Sequence, residues 1–320
     1  MAEQDIINKY FSRHLPENKS VVLGVGDDAA IVSPEKDTQL VITTDTLNID
    51  QHFYADHSAE HLGQKALAVN LSDIAAMGGT PRWATLSLSI LHIDHEWLDG
   101  FSKGLYKLAD QYDVKIIGGD LVKGPLSITM QIIGELYSHA LQRSACRVND
   151  LIYVTGCLGD AAFGLRLLRN QSLKINLQDR QYFLDKITAP EPQLDASKII
   201  AKYSKAAIDI SDGLLIDLKR MLDMSQTGAV LNIDKFPLSG AMQKYIHDLV
   251  DLQDIMLGGE DYQLLFTIPA KSQNQLEKDF HKAKLPIANI GKIISGNDIQ
   301  LIQDGKNVEL PKQHSFDHFA

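Results

Sequence analysis

Residues 65–79, KALAVNLSDIAAMGG, read as the back half of a helix that starts after Ser58. Ser58 is a suitable N-cap, and Gly78-Gly79-Thr80-Pro81 is a strong stop. At about 3.6 residues per turn, Leu62, Ala66, Val69 and Asp73 line one face. Leu67, Leu71 and Ile74 make the adjacent face apolar as well. The helix is therefore expected to be largely buried. A lone carboxylate on such a face is costly unless it is paired or binds a metal. A backbone or arginine partner would explain Asp73 structurally; a metal ion is the preferred reading.

Working outward, residues 21–23 and 39–42 are expected as strands joined by a short turn. Ala84, Leu86, Leu88 and Ile90 alternate with Thr85, Ser87 and Ser89, the period of a half-buried strand. A helix over about 95–112, a strand over 114–117 and a strand through Ile128, Met130 and Ile132 follow. Beyond a polar connection at 138–150, strands are expected at 151–154, 206–210, 264–268 and 290–294. Helices are expected at 160–168 and from the end of the 206–210 strand to near Gly228, with a polar excursion at 173–181. The fold class is thus two-domain. Residues 1–140 form an α+β domain with a mixed or antiparallel sheet, and residues 141–320 form an α/β domain.

Composition narrows the function. The 320 residues are 44% hydrophobic and 22% charged, ordinary for a globular chain. A net charge of −10 argues against a nucleic-acid groove. No apolar run is long enough to span a bilayer, and Met1-Ala2-Glu3-Gln4-Asp5 does not read as a signal peptide, so a cytoplasmic location is expected. Cys146 and Cys157 have neither disulfide nor zinc spacing and are expected to be reduced and inert.

Four motifs place aspartate where a strand is expected to stop or a turn to begin. They are Gly24-Val25-Gly26-Asp27-Asp28, Thr43-Thr44-Asp45, Gly118-Gly119-Asp120 and Asp209-Ile210-Ser211-Asp212-Gly213. Singly, each is more often a turn or cap. Together with Asp73 they suggest carboxylates gathered for magnesium, which is commonly shared between a few carboxylates and substrate phosphates. The reaction class is then phosphoryl transfer. Gly24 to Ala29 formally match a dinucleotide fingerprint, but Pro34 follows too soon for the required helix. The glycine-lysine loop that cradles phosphate and the kinase, hydrolase and zincin motifs are all missing.

Taken together the motifs resemble the thiamine-monophosphate kinase family, in the superfamily of aminoimidazole-ribonucleotide synthetase. The likeness is carried by GVGDDAA at 24–30, TTDTL at 43–47, KALAVNLSDIAAMGG at 65–79 and IIGGD at 116–120. AIDISDGL at 207–214, GGEDYQLLFT at 258–267 and FDHFA at 316–320 complete it. The resemblance implies direct in-line transfer of the ATP γ-phosphoryl to thiamine monophosphate, with several Mg²⁺ ions and no phosphoenzyme. It implies Asp28, Thr43, Thr44, Asp45, Asp73, Asp120, Asp209 and Asp212 as metal ligands, with Asp45, Asp73, Asp120 and Asp212 central to catalysis. Gly119, Asp120, Arg143 and Ser211 would contact ATP; His52, Glu260 and Phe316 would contact thiamine. Arg143 reads equally well as a solvated surface arginine. A homodimer is also implied, with the second domain completing the ATP and substrate site. No cysteine precedes Cys146, unlike in selenophosphate synthetases, and the chain ends in Ala320 rather than the cysteine of the hydrogenase-maturation relatives.

Overall fold

The computed structural model describes residues 3–12, 20–26, 28–246 and 248–311. Asp27 and Phe316 therefore lie outside the described residues. The chain divides into two compact units: Met1–Ile74 with Gly79–Leu136, and Ala75–Gly78 with Tyr137–Ala320.

In the first unit, β1 (Val21–Leu23) and β2 (Ile31–Val32) form a small antiparallel ribbon. The main sheet has β3 (Leu40–Asn48), β4 (Gly79–Ile90), β5 (Lys115–Lys123) and β6 (Ser127–Leu136) in the order β3-β6-β4-β5. Only the β4–β5 pairing is parallel. The alternation of Ala84, Leu86 and Leu88 buries one face, as the pattern predicts. The strand nevertheless begins five residues earlier than 84, at Gly79, and carries Pro81. Proline is tolerated there because β5 pairs with β4 only from Trp83 onward, and the β4–β6 register shifts at that point.

Two helices, Ala59–Ala76 and His95–Gln111, supply apolar side chains to this unit's core. They cross in backbone contact. A Cβ on Gly63 would stand 2.0 Å from Phe101 O, and one on Gly104 would stand 1.8 Å from Glu60 O. Leu62, Ala66, Leu67, Val69, Leu71 and Ile74 are all buried, as the periodicity predicts. Asp94 caps the second helix, its carboxylate accepting from Glu96 N and Trp97 N.

The second unit holds seven strands in the order β13-β12-β9-β11-β7-β10-β8. These are β7 (Leu151–Thr155), β8 (Ala206–Asp209), β9 (Gly228–Asn232), β10 (Leu264–Ile268), β11 (Ile287–Ile294), β12 (Ile299–Gln303) and β13 (Lys306–Val308). All neighbours are antiparallel except β12 with β9. Strand β10, flanked by β7 and β8, is buried at every position, so its run Leu264-Leu265-Phe266-Thr267-Ile268 shows no alternation. Helix Leu177–Thr188 starts inside the segment expected to be an excursion. It is nucleated there by Asn176, whose side chain accepts from Asp179 N.

Candidate functional site

Unit by unit, the aspartates fall into three groups, two in the first unit and one in the second. The first lies where β3 meets the helix Ala59–Ala76. Thr43 and Asp45 are two apart on β3 and so share a face. Thr43 Oγ1 donates to Asp73 Oδ2 at 2.5 Å. Asp45 N donates to Oδ1 of fully buried Asn70 at 3.0 Å, and Asn70 Nδ2 returns to Ala66 O. The Asp45 carboxyl is pushed up to about 6, chiefly by burial and then by the charge of Asp73. Two corrections follow. Asp45 stands inside β3 rather than at its end, because β6 pairs with β3 along its whole length, Leu40↔Glu135 to Asn48↔Ser127. Asp73 is half-buried rather than enclosed, since the helix surfaces beside Thr43. Thr44 points to the opposite face, where its hydroxyl accepts from Gln131 Nε2.

The second group sits at the other edge of the same sheet. Asp28, Gly119 and Asp120 line a cavity of about 600 Å³ whose floor includes Phe11, Leu86 and Leu88. Asp120, like Asp45, is mid-strand and not at a strand end, because β5 continues in parallel register past it, Ser87↔Asp120 to Ile90↔Lys123. Gly119 is required: at φ 154° its Cβ would lie 1.8 Å from Leu86 O. The registers Asp45↔Met130, Met130↔Leu86 and Leu86↔Gly119 set Asp45 level with Gly119 across four strands. Three strand spacings separate them by about 14 Å. The neighbouring Asp120 projects to the opposite face of the sheet from Asp45. Within one chain, then, the sheet holds these two carboxylates apart.

The third group belongs to the second unit. Asp209 ends β8 and is buried. The loop after it runs beside the Gly258-Gly259-Glu260-Asp261-Tyr262 segment: Glu260 N donates to Ser211 O, Tyr262 N to Ile210 O, and Ile210 N to Gln263 O. A Cβ on Gly259 would fall 2.3 Å from Ser211 O, so the approach needs glycine. Glu260 itself adopts φ 72°. Asp217 organises the loop. Its Oδ2 accepts the N–H groups of Ser211, Asp212 and Gly213 at 3.0–3.2 Å, and burial raises its carboxyl to about 6. Arg220 Nη1 bridges Asp217 Oδ1 at 2.7 Å and Asp212 Oδ2 at 2.6 Å. Next door, Asp261 accepts from Gly159 N and Ala161 N, and burial lifts its carboxyl to about 7.

Arg143 and His52 are each held by local contacts. Arg143 is exposed, with its carbonyl accepting from Ser225 Oγ at the C-terminal end of helix Leu214–Ser225. That helix is about 18 Å long, and Ser211 and Asp212 precede its other end. His52 lies in the loop after β3, its Nδ1 accepting from Asn48 N and its carbonyl accepting from the buried Lys65 Nζ. Asn70, Asp217, Arg220 and Asp261 carry much of this geometry and had no role in the sequence reading. The only signal for Asp217 and Arg220 is their spacing behind Asp212, which matches that of any exposed helical pair.

No group of three or more His, Cys, Asp or Glu side chains suited to a metal occurs among the described residues. The donors come instead as pairs. Two carboxylates and a hydroxyl, as at Asp45, Asp73 and Thr43, form an all-oxygen set. That suits a hard cation completing its shell with substrate phosphates and water. Neither cysteine forms a disulfide, and burial pushes both thiols up, Cys157 to about 11. Among the described residues no helix is long and apolar enough to cross a membrane.

Residues 26–136 match the model of the AIR synthase related protein N-terminal domain, and residues 147–304 match that of its C-terminal domain. The thiamine-monophosphate kinase of Salmonella typhimurium is 39% identical over 321 residues, covering 99% of this chain and 98% of the relative. That of Bacillus subtilis is 31% identical and covers the whole of both. Among solved structures, the Stenotrophomonas maltophilia thiamine-monophosphate kinase superposes with a TM-score of 0.84 at 37% identity, covering 91% of this chain and 93% of that one. AaThiL complexed with AMPPCP and TMP gives 0.76 at 31% identity, covering 87% of each.

Proposed function

Because the chain belongs to the thiamine-monophosphate kinase family, we propose that it transfers the γ-phosphoryl group of ATP to thiamine monophosphate, yielding thiamine diphosphate and ADP. The observation that carries this reading is the likeness to named kinases at 39% identity from one end of the chain to the other. The related AaThiL was solved with AMPPCP, an ATP analogue, and TMP, the two ligand classes the reaction requires.

The acceptor is a phosphate, already ionised at neutral pH, so the chain needs no strong general base. What it must supply is alignment and charge neutralisation for two anionic substrates. Asp45, Asp73 and Thr43 would hold Mg²⁺ beside the middle of β3, with Thr44, Asp28, Asp120, Asp209 and Asp212 as further ligands. Magnesium, when bound, offsets the charge of the phosphates. Asn70 fixes the backbone at Asp45, and Asp217 fixes the Ser211–Asp212 turn. Ser211, Gly119 and Arg143 contact the nucleotide; Glu260 and His52 face the cationic thiamine. Transfer is direct and in line, with no covalent phosphoenzyme.

The face that bears Asp120 gives a physical reason for a homodimer. Within one sheet Asp120 stands about 14 Å from Asp45 and faces the other way. On the face that bears Asp120, Ile42, Thr44, Ser87 and Val122 are exposed. Seating a second copy on that face covers the apolar members Ile42 and Val122. The reading is tested by measuring ADP release with ATP, Mg²⁺ and thiamine monophosphate. ADP formed only with amide or acid acceptors, and never with thiamine monophosphate, would sink it.

A further inference from the structure

Arg220 lies on the first turns of helix Leu214–Ser225, and its Nη1 is shared by two carboxylates of different character. Asp217 is wholly enclosed, with a side-chain exposure of 0%, and its second oxygen is committed to three backbone N–H groups. It has no freedom to leave. Asp212 is 28% exposed, and Arg220 is 42% exposed. A guanidinium is charged at any pH a protein survives and carries five donors in a rigid fork. Among the described residues, Arg220 uses only Nη1 on protein acceptors, so Nε and Nη2 remain to be used.

This geometry has an electrostatic consequence. A divalent cation and Arg220 cannot both sit close to Asp212 Oδ2 without strong repulsion, and Arg220 cannot relieve it by losing a proton. It can only shift, and the anchored Asp217 sets how far. We infer that Arg220 is an exchangeable counter-cation of Asp212, held in reach by Asp217, whose open edge binds a phosphate oxygen of the nucleotide. The nature of the two ligands rests on the kinase reading; the exchange rests on the side-chain geometry. Arg220 therefore acts against cation binding and in favour of anion binding. A purely structural residue cannot have opposite effects on the two.

The experiment uses the full chain and two binary measurements. Mn²⁺ binding without nucleotide is followed by electron paramagnetic resonance, taking the site that Asp212→Asn abolishes. Binding of a non-hydrolysable ATP analogue is followed by calorimetry in EDTA. For Arg220→Gln, Mn²⁺ affinity at that site is expected to rise about fivefold, the scale of losing one half-exposed competing ion pair. Analogue affinity is expected to fall about tenfold, the scale of losing a charge-assisted contact. Arg220→Lys keeps the charge without the fork, so it should leave Mn²⁺ affinity near wild type while still weakening the analogue. Both affinities falling together, or neither moving, overturns the inference. If Arg220→Gln melts early, the lysine variant still has to show its own split. A wild-type chain that binds neither ligand would instead refute the kinase reading.

Discussion

The two best-defined carboxylate pairs in the molecule handle the same problem in opposite ways. At Asp45 and Asp73 the dominant influences on Asp45 are burial and a like charge, and its carboxyl is driven up to about 6. At Asp212 and Asp217 a guanidinium lies between the partners, and three N–H groups converge on the buried one. The first pair stores repulsion that an arriving cation relieves. The second has its neutralising charge built in. A site for two polyanions needs both kinds, one that draws cations in and one that keeps its shape without them.

The sharpest way to break the comparison is to remove the repelling charge. Asp45→Asn and Asp73→Asn should each lower turnover by about a thousandfold, the scale of losing a metal ligand that stabilises developing charge. Either should melt no earlier than wild type in EDTA, because a repulsion has gone. Near-normal turnover at saturating Mg²⁺ would remove these residues from the site. The opposite asymmetry is expected at the second pair. Asp217→Ala strands three N–H groups and removes the buried one of Arg220's two carboxylates, and should cost about 3 kcal/mol of unfolding free energy in urea titration.

The pH dependence separates the pairs further. The ordinary value for Asp45 is 3.8 and the folded value about 6, so the folded chain binds this proton more tightly than the unfolded chain does. The stability linked to Asp45 is therefore fully present below about 3.8 and lost as pH rises through about 6. Protons also compete with cations for this carboxylate, so Mn²⁺ affinity should drop as pH falls from 7 to 5 (about tenfold per pH unit at most). A flat profile would show that Asp45 ionises normally. The smallest effect belongs to Thr43→Val, which removes one hydroxyl donor from Asp73. It should weaken Mn²⁺ binding about fivefold, the equivalent of about 1 kcal/mol.

Sequence patterning captured what burial alone dictates. The apolar lines of the helix Ala59–Ala76 and the run of β10 are visible because a core demands them locally. It does not reach Asp45 and Asp120, whose polar side chains read as strand ends. Strands β3 and β5 continue through them because β6 and β4 offer backbone partners, and that pairing is remote in sequence. The division of the aspartates into groups was hidden for the same reason, since it follows from strand order and face. Asp217 was invisible in another way: it resembles any acidic residue on an amphipathic helix until the turn folds back over it.

The separation of Asp45 and Asp120 within one chain also has a genetic meaning. If each reaction centre takes Asp45 from one copy and Asp120 from the partner subunit, two separately dead alleles can rescue one another. In a mixed dimer of Asp45→Asn and Asp120→Asn chains, one centre collects both lesions and the other collects neither. Random pairing of equal amounts would then restore roughly one quarter of the wild-type rate. An enzyme whose centres were confined to single chains would stay silent in the same cross.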